Sequence, residues 1–358
     1  MSEPEISRRK SEHLRIVLEE RVTHARGTLL DDVQLLHDAL PELDLDRIDT
    51  TVELFGKQLR APLMITSMTG GSEATGPMNR ELARAASRRG VAFAVGSQRV
   101  LLRHPERVKD FAVRDEIPDG VLLGNIGGVQ LPGLEPAAVA ELVRCIDADG
   151  ICVHLNPAQE LCQPEGDTRF EGVLDGIARL CDQLQGRVLV KETGAGLSPR
   201  ALQRLAQIGV RHLDVAGSGG TSWTRVERHR APEGPARELG DLLGDWGLPT
   251  AFSVIAARRL CPEACIIGSG GITSGMDVAR VIAAGADIAG FARSVLLAWS
   301  AGGLEGAVRY IEGLERALRA VMLLTGSPDV PSLQRAPRLY TGELREWLGL
   351  LDPPPSQR

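Results

Sequence analysis

Eight short, almost uninterrupted apolar runs recur along this chain, and helical patterns separate them. The runs fall at 61–67, 91–97, 121–126, 150–156, 187–192, 212–217, 265–269 and 287–292. Strands that are apolar on both faces belong to a parallel sheet covered on both sides. The intervening patterns read as helices: at 136–146, Val139, Leu142, Val143 and Ile146 share one face, and Ser198-Pro199 is a favourable helix start. Eight strands alternating with helices predict a (β/α)8 barrel of the α/β class. The stretch 265–293 sharpens this. Ile266 and Ile267 lead into Gly268, Gly270 and Gly271, after which Ser274 and Asp277 have the spacing of a helix-starting box. Glycines and a helix N-terminus suit a phosphate, and barrels commonly bind one after strands 7 and 8.

The regular pattern begins only at Ala61, which predicts three regions: an N-terminal extension 1–60, a barrel 61–325 and a C-terminal tail 326–358. Residues 7–20 read as a charged helix with Arg9 and His13 on one face, which taken alone is a solvated surface helix. The mixed stretch 29–45 reads as a linker. Residues 51–59 read as a hairpin turning at Gly56-Lys57 and able to plug the barrel floor. Between strands 6 and 7, residues 223–261 read as a long polar insertion, and the Pro-rich tail after Thr325 is expected to be mobile.

Composition narrows the class. A net charge of −6 argues against a nucleic-acid surface. No segment approaches the roughly 20 apolar residues needed to span a bilayer. The opening M-S-E-P-E-I-S-R-R-K lacks the apolar core of a secretory signal, and a cytoplasmic protein is expected. The six cysteines form no C-x-x-C pair and read as reduced, mostly buried thiols.

Chemistry in barrels collects at the C-terminal ends of strands, and here those ends are unusually polar. They carry Ser67-Met68-Thr69-Gly70-Gly71, Ser97-Gln98-Arg99, Asn125, His154 through Glu160, Lys191-Glu192, and Gly217 through Trp223. Alternation turns His154 and Asn156 to one side and Leu155 to the other. Glu160 is an oxygen ligand able to hold Mg²⁺ beside a phosphate, or a plain loop carboxylate. Lys191 ends a buried strand and needs an anionic partner: a reduced flavin, or a salt bridge to Glu160 or Glu192. Gly219-Gly220-Thr221 could give a cofactor phosphate its second anchor.

The segments R-R-K-S-E-H, S-M-T-G-G-S, V-G-S-Q-R, H-L-N-P-A-Q-E, V-K-E-T-G-A-G-L-S, G-G-T-S-W and G-S-G-G-I occur in order from Arg9 to roughly Arg293. In these the chain resembles the type 2 isopentenyl-diphosphate isomerases. The resemblance implies an FMN-containing barrel that interconverts isopentenyl and dimethylallyl diphosphate, with NADPH as reductant and Mg²⁺ as metal. It places FMN on Ser67, Met68, Thr69, Ser97, Asn125, Lys191 and Thr221, and the FMN phosphate on Gly270, Gly271, Ala292 and Arg293. The substrate diphosphate falls on Arg9, Lys10, His13, Arg99 and Gln159, with His154 and Asn156 nearby, and Mg²⁺ on Glu160. Gln159, Glu160 and Lys191 become the catalytic candidates, and the N-terminal helix becomes a set of diphosphate ligands. A homo-oligomer, tetramer or octamer, is implied as well.

One departure stands out: family members often have Arg after G-G-I, where this chain has Thr273. Related flavin barrels fit less well. A 2-hydroxy-acid oxidase needs active-site Tyr and His, yet Tyr310 and Tyr340 lie beyond strand 8 and no His falls between Asp214 and Arg228. An inosine-monophosphate-dehydrogenase-like barrel needs a Cys nucleophile after strand 6, and 216–223 has none. A binding-only barrel would have no use for Gln159, Glu160, Arg9 and Lys10.

Overall fold

The computed structural model describes residues 3–68 and 75–352, with residues 3–8 described by backbone alone. Eight parallel strands close into one barrel in sequence order. Barrel strands 1 to 8 are Leu63–Ile65, Ala92–Ala94, Leu122–Gly127, Gly150–Leu155, Val188–Glu192, His212–Asp214, Cys265–Ser269 and Ile288–Phe291. Closure is by strand 8 on strand 1, with Ala289, Gly290 and Phe291 opposite Leu63, Met64 and Ile65. All eight apolar runs are therefore barrel strands, each within its expected range or a residue of it.

Alternation sorts each strand into two cores. Outward residues such as Ile65, Val153, Val190 and Leu213 pack under the helices. Inward residues Met64, Ala92, Ala94, Leu123, Cys152, Leu189, Ile267 and Ile288 fill the barrel. The floor is closed by the hairpin Val52–Leu54 and Lys57–Leu59, whose Leu54 and Leu59 join the inner core. Its turn is Phe55-Gly56, one residue earlier than the expected Gly56-Lys57. Both residues have positive φ (51° and 76°), the conformation a two-residue hairpin loop needs. Phe55 is held in it by stacking on His212, with ring centroids 4.2 Å apart. Lys57 Nζ pins the hairpin to Asp149 at 2.7 Å.

Three expectations are corrected. The polar insertion is shorter than expected, because Thr250–Leu260 is the barrel's own helix, buried from Thr250 to Ala257; the extra elements are the helices Trp223–Arg230 and Pro235–Leu242. The tail is folded as far as Asp352, its Pro-rich end lying outside the described residues: Arg338–Tyr340 pairs antiparallel with Val33–Leu35, inside the supposed linker, and helices Val330–Arg335 and Gly342–Leu348 bury Leu333 and Leu344. The N-terminal helix, Glu3–Glu19, is docked rather than solvated, burying Lys10, His13, Ile16 and Val17. All six cysteines are free, and Cys152, Cys162, Cys181 and Cys261 are buried. Among the described residues no helix is long and apolar enough to cross a membrane.

Candidate active site

A cavity of about 310 Å³ opens at the C-terminal ends of the strands, roofed by the N-terminal helix and Trp223. That volume is at the lower end of the range for small-molecule sites. Every residue given a cofactor, substrate, metal or catalytic role by the resemblance lines it, except Thr69, which lies outside the described residues. The eighteen come from all eight barrel strands or the loops after them and from the N-terminal helix, so only closure of the barrel brings them together.

Over the barrel interior sits a chain of polar side chains. Asn125 Nδ2 donates to Ser67 Oγ at 2.7 Å, and Asn125 Oδ1 accepts from His154 Nδ1 at 2.7 Å. His154 thus carries its proton on Nδ1 and offers a lone pair at Nε2. Burial, reinforced by Lys191, Arg99 and Arg9, drives its pKa down to about 3, so the ring is neutral. Lys191, also buried, donates from Nζ to Glu192 O at 2.5 Å. No salt bridge joins it to Glu160 or Glu192 among the described residues. The Glu192 carboxylate serves its own loop instead, accepting from the N–H groups of Thr193 and Gly194 at 2.6 Å.

At one end the loops after strands 6 and 7 pack backbone against backbone, which requires glycine. A Cβ on Gly270, whose φ is +102°, would sit 2.1 Å from Gly217 O, and one on Gly220 would sit 2.4 Å from Gly271 N. The helix Arg293–Leu324 begins on the same wall, its N-terminal dipole end at Ala292. Arg293 reaches the other way, donating from Nε to Val17 O at 2.7 Å. Thr273 spends its side chain on the helix cap, with N and Oγ1 each 3.0 Å from Asp277 Oδ2.

At the other end lies a charged cluster whose hub the sequence reading missed. Glu227, on the insertion helix Trp223–Arg230, is 0% exposed. Its Oε1 accepts from His13 Nε2 at 2.9 Å and Gln159 Nε2 at 2.8 Å, and its Oε2 accepts from Arg230. Burial would push this carboxyl up, but the His13 hydrogen bond and charge, then Arg230 and Gln159, bring it down to about 2. Trp223 packs edge-on against His13 at 5.3 Å. Trp223 and Glu227 are four residues apart on one helix face, the spacing that could have pointed to Glu227. Asn156 Nδ2 bridges Gln159 Oε1 (3.1 Å) and Glu160 Oε1 (3.0 Å), while Glu160 Oε2 accepts from Asp167 N at 2.7 Å. Arg99 pairs with Asp167 at 3.3 Å. Gln130 and Gln163, also unremarked in the sequence, complete this wall.

Lys10 donates to Ser97 O at 3.2 Å, lies 5.4 Å from the Phe111 ring centroid, and feels Arg9, Arg107 and Asp110. Burial, with Arg9 and Arg107, lowers its pKa to about 7. Its positive charge is therefore complete well below pH 7 and lost as pH rises through it. An anionic ligand held by Lys10 is expected to bind several-fold more weakly at pH 8 than at pH 6. In Lys10→Met that dependence should shrink to the ligand's own titration, which KM against pH for both proteins measures.

Donors of this kind define a class. Hydroxyl, amide and ammonium groups over a barrel interior, with glycine loops and a helix N-terminus at one side, fit a flavin mononucleotide through the chemistry of the donor set. The profile of the FMN-dependent dehydrogenase family matches residues 165–339. Among solved structures, a lactate oxidase from Pediococcus acidilactici has a TM-score of 0.68 at 15% identity, covering 95% of this chain and 93% of that one, and a likeness that distant speaks for the fold alone. Curated relatives are far closer in sequence. The isopentenyl-diphosphate delta-isomerase of Synechococcus sp. is 45% identical, covering 93% of this chain and 96% of its own. That of Methanopyrus kandleri is 42% identical, covering 95% and 93%. The protein is an FMN-dependent (β/α)8-barrel enzyme, and it belongs to the isopentenyl-diphosphate delta-isomerase family.

Proposed function

We propose that this enzyme interconverts isopentenyl and dimethylallyl diphosphate by an allylic proton shift without net redox change. One observation carries the reading: flavin-type donors at the strand ends and a cationic face of the N-terminal helix converge on a single cavity. Bound and reduced, FMN supplies the acid–base group that ordinary side chains are too weak to be toward an unactivated alkene. Around it, Ser67, Met68, Thr69, Ser97, Asn125, Lys191 and Thr221 hold the ring and ribityl chain. Gly270, Gly271, Ala292 and Arg293 hold its phosphate through backbone N–H groups, the Arg293 guanidinium being bonded to Val17 O.

Arg9, Lys10, His13, Arg99 and Gln159 bind the diphosphate, Gln159 being fixed between Asn156 and Glu227. Neutral His154 presents only a lone pair at Nε2, so it contacts a diphosphate oxygen only by taking up a proton. Among the described residues no cluster of three His, Cys, Asp or Glu could hold a metal unaided. Mg²⁺ on Glu160 therefore completes its shell with diphosphate oxygens and water, which is usual for this ion. NADPH serves as the priming reductant, and the working form is a cytoplasmic homo-oligomer, tetramer or octamer.

Electrons that prime an isomerase are not consumed. Under anaerobic conditions a trace of NADPH should support many turnovers, so moles of NADPH oxidised per mole of dimethylallyl diphosphate should fall far below one. A ratio of one would mean net redox chemistry and defeat the reading.

A further inference from the structure

Just beneath the cavity lies a carboxylate that the proposed reaction does not use. Asp214, the last residue of barrel strand 6, is 0% exposed. Alternation turns it inward, since its neighbour Leu213 packs in the outer core, and register sets it beside Lys191 on strand 5. Oδ1 accepts from Ser269 Oγ at 2.5 Å and from Ala216 N at 3.2 Å. Oδ2 is buried with no hydrogen-bond partner among the described residues. Burying a carboxylate so incompletely bonded is costly unless a positive charge stands nearby.

Lys191 presents the complementary problem, a buried ammonium whose hydrogen bond among the described residues goes to a backbone carbonyl. The other nearby carboxylates are committed elsewhere. Glu192 Oε2 takes the N–H groups of its own loop from Thr193 to Gly196, and alternation points the side chain away from the Lys191 face. Glu160 has one oxygen on Asn156 and the other on the Asp167 N–H. Among the described residues Asp214 remains, beside Lys191 in register but without a direct salt bridge to it. Its pKa carries both influences: burial raises it, and Lys191, Ser269 and the Ala216 N–H pull it back.

We propose that Asp214 is the resident counter-charge of Lys191, a positioning residue beneath the cavity floor that sets how readily bound FMN accepts electrons. This rests on the reading that Lys191 faces the flavin. A negative charge below the ring opposes negative charge gathering on it, so Asp214 offsets part of the attraction that Lys191 exerts.

The test is a dithionite titration of the FMN midpoint potential in the holoenzyme. Asp214→Asn removes the charge and keeps the shape, and should favour the reduced cofactor about tenfold, an upward shift of about 30 mV for a two-electron couple. Asp214→Glu should return the potential toward the wild-type value. Lys191→Met should lower it. In that background Asp214→Asn should have a smaller effect, because burial without a neighbouring cation disfavours the charged form of the carboxyl. A shift in Lys191→Met with none in Asp214→Asn overturns the proposal and leaves the placement of Lys191 standing. No shift in Lys191→Met removes that placement itself. If Asp214→Asn does not fold, Ser269→Ala weakens the carboxylate's hydrogen bonding and should move the potential upward by less; an unchanged potential there overturns the proposal too.

Discussion

Glu227→Gln is expected to destabilise the protein by about 3 kcal/mol at neutral pH, although the change removes one charge and almost no volume. Two independent lines give that size. Lowering a carboxyl from 4.5 to about 2 in the fold is worth about 3 kcal/mol, and breaking a buried ion pair by neutralising one member costs about 3–5 kcal/mol. The cause is local. A glutamine amide would point N–H donors at His13 Nε2, Gln159 Nε2 or Arg230, all of which already donate to Glu227. Because the folded-state pKa is depressed, the contribution is complete above pH 4.5 and disappears as pH falls through about 2. The gap between variant and wild type should narrow over that interval. Urea unfolding at pH 7 with an unchanged denaturant slope measures it, and a variant as stable as wild type would show that the cluster is held by packing alone. The same substitution frees His13 and Gln159, so KM for the diphosphate should rise in the folded fraction.

The barrel and most of its site were legible in the sequence for one physical reason. A parallel barrel buries both faces of each strand, so the strands are apolar throughout, and any polar residue at a strand's C-terminal end stands out. His154, Lys191 and Asn125 are visible on that ground alone. What was hidden depends on contacts distant in sequence. Glu227 looks like one more charge in W-T-R-V-E-R-H-R until the N-terminal helix, more than 200 residues away, covers it. Thr250–Leu260 merges into the insertion in sequence because T-A-F-S-V-I-A-A-R-R-L is buried on nearly all sides and shows little amphipathic period. The three-residue strand Arg338–Tyr340 is too short for any pattern and exists because Val33–Leu35 pairs with it. Asp214, an acid at a strand end, resembles turn chemistry until its unbonded oxygen is seen.

Glu160→Gln should abolish Mg²⁺-supported turnover, by more than about 100-fold in kcat/KM, while the protein stays yellow. The carboxylate lies on the helix Pro157–Cys162 after strand 4, beyond the residues proposed to hold the flavin, and it is buried. Its oxygens are occupied by Asn156 and the Asp167 N–H, neither of which is positively charged. A cation would therefore meet a full negative charge already oriented by two hydrogen bonds, the kind of outer support whose own loss usually costs about 10–100-fold. Removing the ligand itself should cost more. Glutamine retains one acceptor and adds a donor, so it can bond the Asp167 N–H but must turn its amide toward either the metal or Asn156. FMN content read from the visible spectrum, set beside turnover at increasing Mg²⁺, separates the outcomes. Full flavin occupancy with activity recovered only at much higher Mg²⁺, or not at all, marks a metal ligand. Parallel loss of flavin and activity would make Glu160 a structural residue and would remove the metal from the proposed site.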